Sequence, residues 1–290
     1  MWDTYISVSS IQEVVDSLAQ YKNTCKIIAG GTDLILEIKH KLHPEVSTLI
    51  DVSRIQNNTD IWIDKENFVH LNPGVTHNHC LASDLIKQHA NSLYEACLSI
   101  GAPQIRNVGT VYGNLITASP ANDTIPALIA LDAEIAIQSQ ANTRSLKLED
   151  FYLGVRKTDL AADEMVVDVK FKVPNLDRRS VFEKFMLRNA HGISVANCAI
   201  SIIINGKEIK DVRIALGSVS TQVFRARNAE KELIGKEIDA VNWAKIVETA
   251  VLEASPIDDI RASLEYRNQL IRVLLQKGFH RILKPELLQV

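Results

Sequence analysis

The most constraining feature of this chain is a pair of glycines between an apolar strand-like run and a helix-like run. Residues 25–29 have the pattern of a strand, Gly30 and Gly31 follow, and residues 33–41 have the pattern of a helix. Backbone N–H groups point outward where a helix begins, and paired glycines allow positive φ and a close approach of ligand to backbone. Residues 27–34 therefore predict an anion-binding turn, for which a nucleotide is the natural ligand.

A second glycine-bearing segment, Thr-Val-Tyr-Gly-Asn at residues 110–114, could complete the same pocket. Taken singly, each segment is also explained as an ordinary chain-reversal turn, since such turns often carry glycine. Neither segment has the G-x-G-x-x-G or G-x-x-x-x-G-K-[ST] pattern of the common nucleotide sites. If a dinucleotide binds, we expect the two separated loops each to hold part of its pyrophosphate.

Composition narrows the class of protein. The 290 residues suffice for two domains, and 46% hydrophobic with 23% charged residues is typical of a globular protein. A net charge of −3 without a basic block argues against nucleic acid or an anionic membrane as a partner. The sequence has no secretory signal and no run of about eighteen apolar residues, so we expect a cytoplasmic protein with no membrane span.

Cysteine and histidine spacing gives no metal site. The four cysteines, Cys25, Cys80, Cys97 and Cys198, have no C-x-x-C spacing, which argues against zinc and against an iron–sulfur cluster in this chain. The run from His77 to Cys80 has two histidines at i and i+2 without a third ligand nearby, so loop or helix-capping roles are favoured.

The order of patterns predicts three parts. A small α/β lobe comes first, with a helix, a strand, a helix and a strand at residues 10–20, 25–29, 33–41 and 47–52. A second lobe follows, with strands at 61–64, 68–71, 133–138 and 165–173, helices at 82–88, 92–100 and 124–131, and a ligand-lining loop at 101–120. The last third predicts strands at 181–187, 195–204 and 209–216, with a hairpin at Asn205-Gly206, and helices at 226–234, 240–252 and 263–282.

Several stretches together resemble the FAD-binding medium subunit of the molybdenum hydroxylases, the family of xanthine dehydrogenase, carbon monoxide dehydrogenase and nicotinate dehydrogenase. They are residues 29–34 (Ala-Gly-Gly-Thr-Asp-Leu), 104–114, 118–123, 131–133, 154–158, 184–188 and 256–261 with 266–267. The order and spacing of these pieces run nearly the whole length of the chain.

The resemblance implies an α+β fold with two domains. Residues 1–176 would form a two-lobed FAD-binding domain of the vanillyl-alcohol-oxidase type (PCMH-type), with lobes at about 1–55 and 56–176. Residues 177–290 would form a C-terminal domain of sheet plus helices like that of carbon monoxide dehydrogenase flavoprotein. FAD would lie between the lobes.

The resemblance also assigns cofactor contacts, and it implies neither a catalytic residue nor a metal ligand in this chain. The implied contacts are Ile27, Ile28, Ala29, Gly30, Gly31, Thr32, Asp33 and Leu34 around the diphosphate; Thr110, Gly113 and Asn114 in the second loop; Asp123 at the adenosine end; Ile100 and Val166 at the cleft wall; and Lys184 at the flavin ring. From residue chemistry alone, a helix N-cap explains Asp123 as well as a cofactor contact does, and Lys184 is better explained as a solvated strand lysine.

Two positions depart from the family's pattern. Tyr112 stands where the family's Thr-Ile-Gly-Gly-Asn has its first glycine, so we expect the ring to crowd the phosphate loop or stack nearby. After Arg188 the family commonly carries aspartate, whereas this chain has Ala190-His191-Gly192. We expect the missing negative charge to change the flavin potential and the access of nicotinamide.

The implied function is that of an electron-transfer subunit. A large molybdenum-pterin subunit would oxidise the substrate, a purine or another N-heterocycle, and a small subunit with [2Fe–2S] clusters would relay electrons through FAD to NAD or another acceptor. The assembly implied is a dimer of heterotrimers, with residues 256–261 as a partner contact or, alternatively, an internal charge pair. Other possibilities are a free-standing flavin reductase of the UDP-N-acetylenolpyruvoylglucosamine reductase type and a scaffold subunit that has lost FAD.

Overall fold

The computed structural model describes residues 2–188 and 191–284. The strands are β1 (Thr4–Ser7), β2 (Cys25–Ile28), β3 (Thr48–Asp51), β4 (Ile61–Ile63), β5 (Phe68–Leu71), β6 (Glu134–Gln138), β7 (Thr143–Lys147), β8 (Tyr152–Gly154), β9 (Lys157–Thr158), β10 (Met165–Lys172), β11 (Asp177–Phe185), β12 (Ala196–Asn205), β13 (Glu208–Gly217) and β14 (Phe224–Arg225). The helices are α1 (Ile11–Tyr21), α2 (Leu34–Lys39), α3 (His77–Ala82), α4 (Asp84–His89), α5 (Asn91–Ser99), α6 (Pro103–Val108), α7 (Val111–Thr117), α8 (Thr124–Ala130), α9 (Arg227–Leu233), α10 (Trp243–Glu253) and α11 (Leu264–Leu283).

The first lobe is a parallel sheet in the order β1-β3-β2 with α1 packed against it. The α1 helix begins at Ser10, whose hydroxyl accepts a hydrogen bond from the Glu13 amide at 3.2 Å, and it buries Val14 and Leu18. The elements predicted at 10–20, 25–29, 33–41 and 47–52 are confirmed. The sequence missed β1 because this short, largely exposed strand is defined by its pairing with β3.

The second lobe is a mixed layer of helices on a sheet in the order β4-β5-β10-β6-β7. The prediction of an irregular loop at residues 101–120 is wrong, because α6 and α7 occupy most of it. Pro103 is the first residue of α6, and Thr110 caps the N-terminus of α7. Proline and threonine favour these helix-start positions, so a composition that looked like a loop is that of two short helices with their caps.

The last third is an antiparallel sheet in the order β11-β12-β13-β14, with α9, α10 and α11 against one face. The predicted hairpin at Asn205-Gly206 is confirmed, and Gly206 has a φ of +62° that its turn requires. The other face of the sheet packs on α5 and α8 of the second lobe. The α+β fold class, a two-lobed domain followed by a sheet with helices, is confirmed.

The hydrophobic cores do not correspond one to one to the two lobes and the C-terminal sheet. The first lobe has a small core of its own, centred on Val14, Leu18 and Ile50. The core of the second lobe continues into the C-terminal sheet, where Phe182 and Ala199 belong to the same buried cluster as the second lobe. The second lobe and the C-terminal sheet therefore form one packed unit, while the small core of the first lobe is joined to the second lobe through Met165 of β10.

Among the helices in residues 2–188 and 191–284, none combines the length and the apolar character that crossing a bilayer would require.

Candidate functional site

A cleft of about 840 Å³ lies between the first and second lobes. Its size is within the range of about 300–1,000 Å³ that is typical of ligand and cofactor sites. All but two of the predicted cofactor contacts line it: Ile27, Ile28, Ala29, Gly30, Gly31, Thr32, Asp33, Leu34, Ile100, Thr110, Gly113, Asn114 and Val166. The two glycine-bearing segments thus face one cavity from opposite lobes.

The first glycine segment is fixed by steric limits within the chain. A Cβ added to Gly30 would stand 1.9 Å from the carbonyl oxygen of Val108 in α6, so no side chain fits there. Gly31 has a φ of +66°, which other residues rarely adopt. The close approach that Gly30 permits is therefore to the second lobe's own backbone, which brings the loop to the cleft wall.

The same loop presents unused hydrogen-bond donors. Within the described residues, the amides of Gly30, Gly31, Thr32 and Asp33 have no acceptor. The α2 helix that follows is only six residues long, so its dipole adds little to the loop amides. A row of free amides beside an open cavity suits the oxygen atoms of a phosphate.

The second glycine segment is the N-terminal turn of α7. The Thr110 hydroxyl accepts from the Gly113 amide at 3.0 Å, which fixes the turn. The side-chain oxygen of Asn114 accepts from the Thr124 hydroxyl at 2.6 Å. That contact orients the Asn114 amide group, and its nitrogen has no acceptor among the described residues, so it is a further donor available at the cleft.

Tyr112 is among the cleft-lining residues, and the expectation that its ring crowds the phosphate segment or stacks nearby stays a prediction. The residue is 4% exposed within the second-lobe core, and its hydroxyl donates to the Leu71 carbonyl at 2.6 Å. Burial raises the pKa of the Tyr112 phenol well above its ordinary value. The side chain is therefore a core group, because its position in α7 points it into the lobe.

The remaining predicted contacts, Asp123 and Lys184, are not among the cleft-lining residues. Their side chains pair at 2.6 Å and are both 6% exposed. The Asp123 carboxylate also accepts from the Ser194 hydroxyl at 2.6 Å and from the Asn197 amide at 3.0 Å. Lys184 also donates to the carbonyl of Ser99, which is adjacent to Ile100 at the cleft wall.

Neither alternative that residue chemistry offered for this pair holds. Asp123 precedes α8 in the N-cap position, but its side chain makes no capping hydrogen bond. Lys184 is a strand residue, but it is buried. The two side chains form an internal polar junction between α8 and the C-terminal sheet, and their contact with a cofactor stays a prediction.

His77 is a cleft residue that the sequence did not assign to the site. It is 3% exposed, and burial, with a smaller contribution from the charge of Arg106, lowers its pKa to about 4. Its Nδ1 lies 3.7 Å from the Cys97 sulfur. The capping prediction is confirmed at His79, which forms a capping box with Thr76, and no metal-binding group of side chains occurs in the described residues.

Two further segments of interest lie outside the cleft. In the segment after Arg188, Ala190 lies outside the described residues, while the His191 carbonyl accepts from the Arg188 guanidinium at 2.8 and 3.1 Å. In the segment 256–261, Asp259 pairs at 2.8 Å with Arg267, which is 1% exposed, so the internal charge pair is present. Ile260 of the same segment is fully exposed.

Comparison with known proteins identifies the family. Residues 2–175 match the FAD-binding domain found in molybdopterin dehydrogenases, and residues 181–282 match the C-terminal domain of carbon monoxide dehydrogenase flavoprotein. The chain belongs to this family. It is an FAD-binding medium subunit of the molybdenum hydroxylase type, and hence part of an oxidoreductase.

Individual relatives agree with this family over nearly their full length. The chain is 31% identical to the glyceraldehyde dehydrogenase medium chain of Sulfolobus acidocaldarius, with 96% of this chain and 98% of that one covered. It is 30% identical to the nicotinate dehydrogenase FAD-subunit of Eubacterium barkeri, with 96% and 95% covered. The fold matches a chain of carbon monoxide dehydrogenase from Hydrogenophaga pseudoflava with a TM-score of 0.92, at 24% identity and 98% coverage of both chains.

Proposed function

We propose that this chain holds FAD in the cleft between its lobes and passes electrons from the [2Fe–2S] clusters of a small partner subunit to NAD or another acceptor. A large molybdenum-pterin subunit oxidises the substrate, and the subunits assemble as a dimer of heterotrimers. The observation that carries the proposal is the single cleft lined by both glycine segments, whose free amides match a diphosphate. Membership in a family of FAD-binding medium subunits supports it.

The predicted residues divide the work of holding the cofactor. Free amides of the loop at 30–33 and the side-chain nitrogen of Asn114 donate to the diphosphate, and Thr110 fixes the turn that presents Asn114. Ile100 and Val166 supply apolar walls. Lys184, which pairs with Asp123, donates to the carbonyl of Ser99 next to Ile100, and from there its charge can influence the flavin ring. Bound FAD supplies the electron chemistry, and the protein positions it and tunes its potential.

The domain division belongs to the same proposal. Residues 1–176, with lobes at about 1–55 and 56–176, form the FAD-binding unit, and residues 177–290 form the C-terminal unit. The two matched family ranges, 2–175 and 181–282, support this division. The relatives' names support two substrate classes: an N-heterocycle, as for the nicotinate dehydrogenase relative, and an aldehyde, as for the glyceraldehyde dehydrogenase relative.

Asn114→Asp tests the cofactor site. Aspartate keeps the oxygen that accepts from Thr124, but it replaces the free N–H donor with a negative charge facing the diphosphate. We expect FAD affinity, measured by titration of the flavin-free chain, to fall at least about tenfold, the equivalent of about 1.4 kcal/mol. The matched control is Asn142→Asp, which lies in the turn between β6 and β7, where the Asn142 side-chain oxygen accepts from Ser139 at 3.0 Å. Equal affinity of the two variants would argue against the assigned cleft.

Purification with the neighbouring subunits tests the electron-transfer role. We expect flavin absorbance in the complex, its bleaching by an N-heterocycle or an aldehyde, and recovery on addition of NAD or another acceptor. A colourless complex would instead favour the scaffold that has lost FAD. Turnover of an organic substrate by this chain alone would favour the free-standing reductase.

A further inference from the structure

An ion pair spans the mouth of the cleft. Glu37 of α2, in the first lobe, contacts the guanidinium of Arg156, in the second lobe, and both side chains line the cleft. Within residues 2–188 and 191–284, no other salt bridge links the first lobe to the rest of the chain. Two side-chain hydrogen bonds also join the lobes, from Asn58 to the Val52 carbonyl and from Gln140 to Asp16, both at 3.0 Å. Other contacts between the lobes are apolar or backbone contacts, such as Met165 in the first-lobe core and Gly30 against Val108.

The backbone of Arg156 is held in place within the second lobe. It lies in the turn between β8 and β9, and its amide donates to the Ala118 carbonyl at 3.1 Å, immediately after α7. Its φ of +53° is unusual for a residue other than glycine and costs stability. A strained backbone that is tied to the neighbouring helix holds the start of the side chain in place, so the ion pair depends on the position of the first lobe.

Glu37 is equally well held on the other side. Its second carboxylate oxygen lies 3.0 Å from Nε2 of His43, and its side chain is 18% exposed. Asp33 faces the same open cleft one turn earlier, where burial and then the Glu37 charge raise its pKa. The first lobe therefore places two carboxylates beside the amide loop, and Arg156 compensates them from the second lobe.

We propose that Arg156 and Glu37 form a latch across the mouth of the cleft that slows the release of FAD. The proposal rests on the proposed function, because it requires FAD between the lobes. Release of a ligand held between the lobes requires the lobes to separate, and separation at the mouth breaks the ion pair between Arg156 and Glu37. The latch thus slows FAD release by holding the lobes together and does not itself contact the cofactor.

The test measures FAD release from the full chain after dilution, as flavin retained by the protein over time on rapid gel filtration. We expect Arg156→Gln and Glu37→Gln each to release FAD about two to five times faster, the range of a partly exposed ion pair of up to about 1 kcal/mol. The double variant should be no faster than either single variant, because both remove one interaction. In roughly 1 M salt, where the Debye length is about 3 Å, the differences should shrink.

Arg227→Gln is the matched control. Arg227 has the same side-chain exposure as Arg156, 52%, and it pairs at 2.6 Å with Glu149, which is 22% exposed and does not line the cleft. We expect wild-type release from this variant. Circular dichroism of each variant checks that the fold is retained.

Three outcomes would overturn the latch. Unchanged release in both Arg156→Gln and Glu37→Gln would remove its basis. Faster release in Arg156→Gln with unchanged or slower release in Glu37→Gln would make Arg156 a direct phosphate ligand instead. A wild-type chain that binds no FAD at all would overturn the proposed function, and the latch would fall with it.

Discussion

At the scale of single residues, His77 in the wall of the cleft makes the stability of the fold depend on pH. The imidazole is buried at the wall of the cavity, and its surroundings hold the neutral form, with a pKa of about 4 against an ordinary value of 6.5. Protonation therefore favours the unfolded chain. The stabilisation from the neutral group is complete above pH 6.5 and is lost as the pH falls from 6.5 towards 4.

His77→Gln should flatten this acid sensitivity. Between pH 7 and pH 5, we expect the wild-type chain to lose about 2 kcal/mol more unfolding free energy than the variant, from the linkage of that shift. Urea unfolding at both pH values measures the difference. His280, exposed in α11, is the control position, and His280→Gln should keep the wild-type pH dependence. Parallel pH profiles for wild type and His77→Gln would contradict a buried neutral His77.

At the scale of elements, the segment with α6 and α7 decides the geometry of the second wall. Its residues are those of turns and caps, and composition predicted a loop. Two short helices form instead. The Val111 amide donates to the Val75 carbonyl and the backbone amide of His77 donates to the Gly109 carbonyl, and these bonds fix the segment to the start of α3. Such contacts join residues far apart in the chain, so a local pattern does not contain them.

Thr110→Ala tests the cap of α7. Loss of the hydroxyl that accepts from Gly113 should lower the unfolding free energy by about 1 kcal/mol and weaken FAD binding, since the turn presents Asn114. Thr110→Ser should retain both properties. Ser83→Ala removes the corresponding cap of α4, which lies away from the cleft, and it should cost stability while leaving FAD affinity unchanged. Equal FAD affinity in Thr110→Ala and Thr110→Ser would show that the cap of α7 does not contribute to FAD binding.

At the scale of the whole molecule, the junction of Asp123 with Lys184 ties the flavin-binding unit to the C-terminal sheet. The contacts of Ser194 and Asn197 with the same carboxylate complete its hydrogen bonding, and the surrounding core is continuous across the junction. A charge buried in this way is costly when its partner is removed.

Lys184→Met should therefore lower the unfolding free energy by about 3–5 kcal/mol, because it leaves the Asp123 carboxylate buried without its cation. Asp123→Asn in the same chain should restore part of the loss. The double variant lacks both the lysine cation and the aspartate anion, so a shift of its flavin potential relative to wild type would report the loss of the ion pair as a whole. A Lys184→Met chain of wild-type stability would contradict the buried pair.

The sequence by itself determined the family, the α+β order of elements and the two glycine segments, because these depend on short motifs and on periodic burial that neighbouring residues record. Only the tertiary structure decided which atoms those residues meet. Gly30 lies against the Val108 carbonyl, and the Tyr112 hydroxyl donates to the Leu71 carbonyl in the core. The Asp123 carboxylate pairs with Lys184, and the Arg156 guanidinium contacts Glu37, 119 positions earlier in the chain. Each of these contacts joins separate elements, and their geometry is set by packing between lobes and sheets rather than by any local pattern.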